Sequence, residues 1–368
     1  MDFSEYTGPS DEWAALEAVL PAPTPGLSAE QLKAATNKTR EELAAREMVE
    51  QDLQSRVTIH DHRIPTRDNS TLEARTYRPA SIDNATSKPL PVYIHLHGGG
   101  FLYGSLSSED SICARIVVAL AEQHQTPIIV LNVNYRHTPE HKYPTAWNDT
   151  EDAFHWLHDN LDSLHADGEK VVMGGISAGA WLTAATALAQ HLQHPQSKGL
   201  SARPKLAGQV LMIPSLVHYN CYGPQLARMK DGGREVSSMV TNRNAPILPL
   251  ATVKMFMELL GVEGGKEVEG DLRLNPGNAT AKQVRGLPPT TFGVAGRDPL
   301  RDEGLLFAKL LSENGVPTKT NVFSGVPHGF RRYGEQLKVC EKWDEVMVEG
   351  IKWALGDAVP GRFEIRSF

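Results

Sequence analysis

Short apolar runs alternate with stretches of helical pattern over most of this chain. This alternation predicts an α/β fold whose central sheet is mostly parallel, with helices on both faces. Two earlier segments, 57–60 and 72–77, alternate apolar and polar residues like paired strands at a sheet edge. The apolar runs are 92–96, 128–131, 171–173, 210–213, 291–294 and 321–323, and the helical patterns lie at about 108–124, 146–161, 178–192, 302–314 and 335–354.

Two intervals depart from the alternation. Residues 1–55 have a helical composition, with a break at Pro21, Pro23 and Pro25 and a capping box predicted at Ser28 and Gln31. Residues 216–285 carry no strong strand signal, as is typical of an insertion that covers a site. We therefore predict an N-terminal helical cap segment (1–55), a first core part (56–215), a cap insertion (216–285) and a second core part (286–368).

The composition excludes several classes of protein. The 368 residues carry a net charge of -7 without a basic stretch, which argues against nucleic acid as a partner. No segment is apolar enough to span a membrane, and no signal peptide is visible, so we expect a cytoplasmic protein. Cys113, Cys221 and Cys340 are widely spaced, which favours free thiols over disulfides or a metal site. We expect neither a metal nor a cofactor, and self-association into a homo-oligomer stays open.

The sequence Gly175-Ile176-Ser177-Ala178-Gly179 follows an apolar run and precedes an Ala-rich helical stretch. A serine hydroxyl raised on a tight strand–turn–helix is the setting of a hydrolase nucleophile, and glycines at both flanks allow the strand and helix to approach closely. The alternative is an ordinary Gly/Ser turn without function. The flanking strand and helix favour Ser177 as the nucleophile.

A run of three glycines, Gly98, Gly99 and Gly100, comes directly after the apolar run 92–96. Glycines in this position let the backbone direct N–H groups at a developing oxyanion, together with the N–H of Ala178. A merely flexible turn is the alternative. The sequence therefore predicts an oxyanion hole built from these four residues.

A serine nucleophile needs a base and an orienting carboxylate, which follow the serine along the chain in this fold. Four histidines follow Ser177, and only His328 lies in a turn immediately after a predicted strand. His191 and His194 end the helix after the serine, and His218 opens the predicted cap insertion. His328 is thus the predicted base.

Asp298 follows the apolar run 291–294, at the end of a strand where loops build sites in open α/β sheets. Asp302 and Glu303 are rivals, although both are typical of the first turn of a helix, where acidic residues favour the helix dipole. The Arg-Asp-Pro turn favours Asp298 as the acid.

These motifs together resemble those of the hormone-sensitive-lipase-like family of α/β-hydrolases, which includes bacterial esterases and arylacetamide-deacetylase-type enzymes. The resemblance covers about 91–330 and implies a catalytic triad of Ser177, Asp298 and His328. It also implies a cap formed by the N-terminal helices and the later insertion, and a structural pairing of Arg136 with Glu140. The motifs that carry it are His97-Gly98-Gly99-Gly100, Tyr135-Arg136-His137-Thr138-Pro139-Glu140-His141, Gly175-Ile176-Ser177-Ala178-Gly179, Asp298-Pro299-Leu300-Arg301-Asp302-Glu303 and His328-Gly329-Phe330.

The chain departs from the family at two positions. Ile176 stands where the family commonly has Asp, and Ala180 where it has a second Gly. Tyr103 and Trp181 are candidates for an apolar substrate pocket, with ordinary packing as the alternative for Trp181. Met255, Phe256 and Met257 of the predicted cap are further candidates.

The predicted function is hydrolysis of small or medium apolar carboxylic esters through an acyl-enzyme, with a small-molecule ester as partner. One alternative is another reaction at the same site, by a dehydratase, cyclase or acyltransferase of specialised metabolism. The other alternative is a small-molecule binding protein without turnover.

Overall fold

The structure, a computed structural model, describes residues 1–21, 26–83, 88–263, 266–356 and 358–368. Pro23 and Pro25 of the predicted break lie outside the described residues. The strands are β1 (Val57–Pro65), β2 (Thr71–Pro79), β3 (Leu90–Leu96), β4 (Ile129–Asn134), β5 (Ala166–Ile176), β6 (Gly208–Met212), β7 (Thr290–Ala295), β8 (Thr318–Phe323) and β9 (Ile365–Ser367). The helices are α1 (Asp11–Glu17), α2 (Ala29–Glu50), α3 (Asp110–Val118), α4 (Thr145–Asp159), α5 (Leu161–Leu164), α6 (Ala178–Leu192), α7 (Gly223–Ala227), α8 (Ser238–Thr241), α9 (Leu250–Leu259), α10 (Ala281–Val284), α11 (Arg301–Glu313) and α12 (Val339–Ala354).

All of these strands form one sheet in the order β1-β2-β4-β3-β5-β6-β7-β8-β9. β1 pairs antiparallel with β2, and β2 pairs antiparallel with β4, whereas every other neighbouring pair is parallel. The mostly parallel sheet and its edge pair of strands are therefore confirmed. The sequence pattern missed β9, whose residues Ile, Arg and Ser form no apolar run.

Helices cover both faces of the sheet, as predicted. Neighbouring residues of a strand enter different parts of the core: Tyr93 packs with the cluster that includes Trp343 of α12, and Ile94 with the cluster that includes Leu182 of α6. Because successive side chains of a strand point to opposite faces, each buried strand needs an apolar cover on both sides. The fold is thus the α/β-hydrolase fold that the sequence predicted.

The segment before the sheet is helical, as predicted, and α2 begins with the predicted capping box. The Ser28 hydroxyl accepts a hydrogen bond from the Gln31 amide (3.2 Å), and the Gln31 side chain accepts one from the Ser28 amide (3.0 Å). In the described part of 216–285 there are helices and turns but no strand, also as predicted. The division of the chain at residues 55, 215 and 285 stays a prediction.

The carboxyl ends of β3, β5, β7 and β8 lie along one edge of the sheet. The loops that leave these strands carry the glycine run, Ser177, Asp298 and His328.

Within the described parts of the chain, no helix is long and apolar enough to cross a membrane. Cys113, Cys221 and Cys340 are buried free thiols, as the sequence predicted.

Candidate active site

Ser177 occupies a strained turn between β5 and α6. Its backbone has φ 55° and ψ -111°, in the positive-φ region that residues with a side chain rarely adopt. A Cβ on Gly175 would lie 2.4 Å from the carbonyl carbon of Gly179, and one on Gly179 would lie 1.9 Å from the Leu96 carbonyl oxygen. The two glycines therefore permit the close approach of strand and helix that holds the serine in this turn.

The structure brings Ser177, His328 and Asp298 together in one hydrogen-bonded chain. His328 Nε2 lies 2.9 Å from Ser177 Oγ, and His328 Nδ1 lies 2.6 Å from Asp298 Oδ2. The second oxygen of Asp298 accepts a hydrogen bond from the Leu300 amide (2.9 Å), which fixes the carboxylate. An ionised carboxylate only accepts, so Nδ1 of the imidazole carries the proton and Nε2 is free to accept one from the serine.

The rival carboxylates have other partners. Asp302 accepts hydrogen bonds from the Ser238 amide (2.6 Å) and from Arg301 (2.8 Å). Glu303 accepts from the Leu216 amide (2.6 Å), and burial raises its pKa well above the usual range. Within the described chain, neither carboxylate bonds His328.

The glycine run leaves β3 in a conformation that requires glycine. Gly99 has φ 145° and Gly100 has φ 60°. The Gly99 carbonyl turns back to accept from the amides of Leu102 (3.0 Å) and Tyr103 (3.2 Å). The amides of Gly99 and Gly100 donate to no atom of the described residues, and Ala178, as the first residue of α6, has no acceptor within its helix. These donors are therefore available to a ligand near Ser177.

An ion pair between a partly exposed arginine and a buried glutamate contacts the glycine run, and the sequence analysis missed it. Arg40 of α2 donates to the Gly98 carbonyl (2.9 Å) and to Glu109 Oε1 (2.5 Å). Glu109 is fully buried and also contacts His95 (2.9 Å). Burial would raise the pKa of Glu109, but Arg40 and His95 outweigh it and hold the pKa at about 2. Nothing in the helical pattern of α2 distinguishes Arg40 from its exposed neighbours, so no sequence signal could have identified it.

Two further histidines lie beneath the run. His97 is fully buried and stacks on Tyr135, with ring centroids 4.3 Å apart, and its Nε2 lies 3.3 Å from Nε2 of His137. Burial lowers the pKa of His97 to about 4. Burial also lowers the pKa of His137, to about 2, so both rings are neutral at pH 7 and pack beneath the glycine run.

A cavity of about 620 Å³ opens above Ser177 and His328. Tyr103 and Trp181 both line it, as do Ile176, Phe256 and Met257, whereas Met255 is not part of the lining. Trp181 is also ordinary core, since it is fully buried and its indole donates to the Leu274 carbonyl (2.6 Å).

The cavity has two kinds of wall. We call the loops after β3, β5, β7 and β8 the floor, and α2 together with α9 the cover. The floor supplies the polar groups that meet at Ser177. The cover supplies Leu43, Val253, Phe256 and Met257 on its apolar side and arginine and glutamate side chains from α2 on the other.

The predicted pairing of Arg136 with Glu140 is wrong. Arg136 forms a two-pronged ion pair with Asp149 of α4 (2.6 Å at its shortest) and contacts Asp68 (2.7 Å), whereas Glu140 is exposed and pairs with Lys33 (3.1 Å). The Arg136 side chain therefore reaches α4 and not the residues that follow it in the sequence. Arg136 thus forms a structural ion pair, but its partners are Asp149 and Asp68 and not Glu140.

Comparisons with known proteins identify the family to which this chain belongs. A family model described as alpha/beta hydrolase fold matches residues 93–332. An ethyl acetate hydrolase from Pseudomonas putida is 30% identical over 296 residues, which cover 80% of this chain and 82% of that protein. A carboxylesterase from Mycobacterium tuberculosis is 30% identical over 262 residues, which cover 70% and 71%. The solved structure of a vibralactone cyclase matches with a TM-score of 0.80 and 28% identity, covering 95% of this chain and 96% of that one. The chain therefore belongs to the α/β-hydrolase family, among the hormone-sensitive-lipase-like esterases, and is a serine hydrolase.

Proposed function

We propose that this enzyme hydrolyses small or medium apolar carboxylic esters, with Ser177 as nucleophile, His328 as general base and Asp298 as the orienting acid. The observation that carries the proposal is the hydrogen-bonded chain from Ser177 Oγ through His328 to Asp298, which opens into a largely apolar cavity. A nucleophile, its base and an orienting group within hydrogen-bond distance are what covalent catalysis requires.

In the first step Ser177 Oγ attacks the ester carbonyl carbon while His328 Nε2 takes the hydroxyl proton. Asp298 stabilises the imidazolium that forms, because it accepts the Nδ1 hydrogen bond. The tetrahedral intermediate then loses the alcohol, which takes the proton from His328. Water, deprotonated by His328, attacks the acyl-enzyme and releases the acid, and Ser177 recovers its proton.

Backbone N–H groups of Gly98, Gly99, Gly100 and Ala178 are the proposed oxyanion donors. Two facts support this role: the amides of Gly99 and Gly100 have no acceptor among the described residues, and Ala178 begins a helix whose dipole favours negative charge at that end.

The size and polarity of the cavity support the substrate class. A volume of about 620 Å³ lies within the range of small-molecule sites, and apolar side chains dominate its wall around Ser177. The relatives named ethyl acetate hydrolase and carboxylesterase support the same class. A cytoplasmic location stays a prediction, supported by the three buried free thiols.

The test is a series of 4-nitrophenyl esters from acetate to dodecanoate, combined with trapping by a fluorophosphonate. We expect the highest kcat/KM for short or medium chains, and a covalent adduct on Ser177 by peptide mass mapping. Ser177→Ala should abolish both, whereas Ser215→Ala, a hydroxyl removed from the same cavity wall, should retain hydrolysis within a few-fold. Equal ester turnover by Ser177→Ala would refute the assignment.

A second candidate is cyclisation at the same site, favoured by the similarity to the vibralactone cyclase. In this reaction a nucleophile of the substrate itself would replace water at the acyl-enzyme and give its proton to His328. A cyclic product without uptake of solvent oxygen, measured in H₂¹⁸O, would support cyclisation over hydrolysis.

A further inference from the structure

Five arginines line the cavity, and their ion pairing differs. Four of them have a carboxylate partner, whereas Arg332 forms no ion pair with any carboxylate of the described residues. The carboxylates that line the cavity are all engaged with other cations. The pairs are Arg40 with Glu109 (2.5 Å), Arg46 with Glu50 (3.7 Å), Arg115 with Glu47 (3.0 Å), Arg331 with Asp344 (2.6 Å) and Lys38 with Glu42 (3.9 Å).

Arg332 lies beside the reacting groups. It follows His328 by four residues, and its Nη2 lies 3.2 Å from the position that a Cβ on Gly329 would take. The only hydrogen bond from its side chain to a described residue runs from Nε to the Gly329 carbonyl (3.2 Å), so the two Nη groups donate to no other described residue. These Nη donors therefore lie on the wall of the same cavity that Ser177 lines.

The surroundings of Arg332 are those of a cation in a concave site. The side chain remains accessible to solvent, yet burial among protein atoms lowers the pKa of its guanidinium, against the opposite influence of Tyr103 and Tyr333. The group still carries its charge at neutral pH. An unpaired, charged guanidinium that lines the cavity can bind an anion there.

We propose that Arg332 is an anion-binding residue of the substrate pocket and that the enzyme takes esters bearing a carboxylate on the acid or the alcohol part. The proposal rests on the ester hydrolysis proposed above and names its substrate class more narrowly. The fork of the guanidinium matches a carboxylate, and Tyr103, which also lines the cavity and has no hydrogen bond from its hydroxyl to a described residue, supplies a further donor. The apolar wall around Ser177 would hold the chain between the ester and the anion.

The test compares each anionic ester with its neutral methyl ester of equal length. For the acid side, the pairs are the 4-nitrophenyl half-esters of glutaric to suberic acid and their methyl esters. For the alcohol side, the pair is 4-carboxyphenyl hexanoate and its methyl ester. The readout is the ratio of kcat/KM for the anionic ester to that for its neutral partner.

In Arg332→Gln we expect this ratio to fall about 10- to 100-fold for at least one pair, the size of a lost charge-assisted hydrogen bond. Arg332→Lys should keep most of the preference, and Tyr103→Phe should lower the ratio several-fold. Arg234→Gln, which removes an exposed cation outside the cavity lining, should leave the ratio unchanged. If Arg332 only stabilises the turn at Gly329, both esters of a pair will slow equally, the ratio will not change, and the proposal is overturned.

Binding to the Ser177→Ala variant separates this proposal from the ester-hydrolysis proposal. Calorimetry measures the Kd of each ester of a pair for two variants, Ser177→Ala and the double variant Ser177→Ala with Arg332→Gln. This measurement does not depend on turnover. An anionic preference that depends on Arg332 supports the binding site even where the wild type hydrolyses none of the esters. If the wild type hydrolyses neutral esters but the Kd values show no preference for the anionic esters, the ester-hydrolysis proposal is retained and the anion-binding proposal is refuted.

Discussion

The floor and the cover of the cavity are built by different means. The polar groups of the floor sit at the ends of parallel strands and are held by short hydrogen bonds, such as the 2.6 Å contact between His328 and Asp298. The cover contacts the floor through single long side chains from distant parts of the sequence. Arg40 donates a hydrogen bond to the Gly98 carbonyl, and the ring of Phe256 packs next to Gly100. The proposed chemistry therefore depends on the floor, whereas the shape of the site depends on contacts across the two walls.

Among the variants that keep Ser177, the largest effect is expected for Asp298→Asn, which changes the floor alone. Asparagine keeps the size of the side chain but no longer holds the imidazole in the tautomer that accepts the serine proton. We expect kcat to fall about 10³- to 10⁴-fold with little change in thermal stability, measured with a short-chain 4-nitrophenyl ester. A loss of less than tenfold would mean that another group orients His328.

Gly100→Ala tests the contact between floor and cover. A Cβ at this position would lie 2.3 Å from the ring of Phe256, and the φ of 60° disfavours any side chain. We expect kcat/KM to fall about 10²-fold, since the backbone amides around Ser177 would be displaced. Gly361→Ala, with open space around its Cβ, is the matched control.

The double variant Gly100→Ala with Phe256→Ala separates the two causes of this loss. Partial recovery of activity would show that the clash with the cover dominates. No recovery would assign the loss to backbone strain in the floor alone, and the two walls would then be independent at this point.

The floor could be predicted from the sequence because its residues follow strands in a fixed order. Ser177, Asp298 and His328 each come directly after an apolar run, and the chain order excluded most rivals. The cover could not be predicted to the same depth, because a helical pattern shows which face is polar but not which polar residue reaches across a cavity. Arg40 looks like an ordinary surface cation in the sequence, and so does Arg332, although Arg332 lies in the loop after β8. The partner of Arg136 was mistaken because it lies in α4 and not in the segment that directly follows Arg136.

Removing Arg40 should affect stability more than removing a neighbouring arginine of the same helix. Arg40→Met leaves the fully buried Glu109 without its main counterion, for which we expect a loss of about 2–4 kcal/mol in the free energy of unfolding. Arg46→Met breaks only the exposed 3.7 Å contact with Glu50 and should cost under about 0.5 kcal/mol. Urea unfolding of both variants measures the difference.

Equal losses in the two variants would contradict the view that the cover is anchored to the floor by Arg40. Adding Glu109→Gln to Arg40→Met should recover part of the stability, because the buried charge is then gone. Without such recovery, the loss would come from packing of the Arg40 side chain and not from the unpaired carboxylate.

A further expected effect is a pH dependence of stability that originates beneath the glycine run. The pKa of His97 is lowered from the ordinary 6.5 to about 4 by burial, so between these values the unfolded chain binds a proton that the folded chain does not. Its stabilising contribution is complete above pH 6.5 and is lost as the pH falls toward 4, with a slope of up to about 1.4 kcal/mol per pH unit. Urea unfolding between pH 7.5 and 4.5 should show His97→Asn with a shallower decline than the wild type. Parallel curves would mean that His97 takes up its proton in the folded protein as readily as in the unfolded one, and that the packing beneath the floor admits a charged ring.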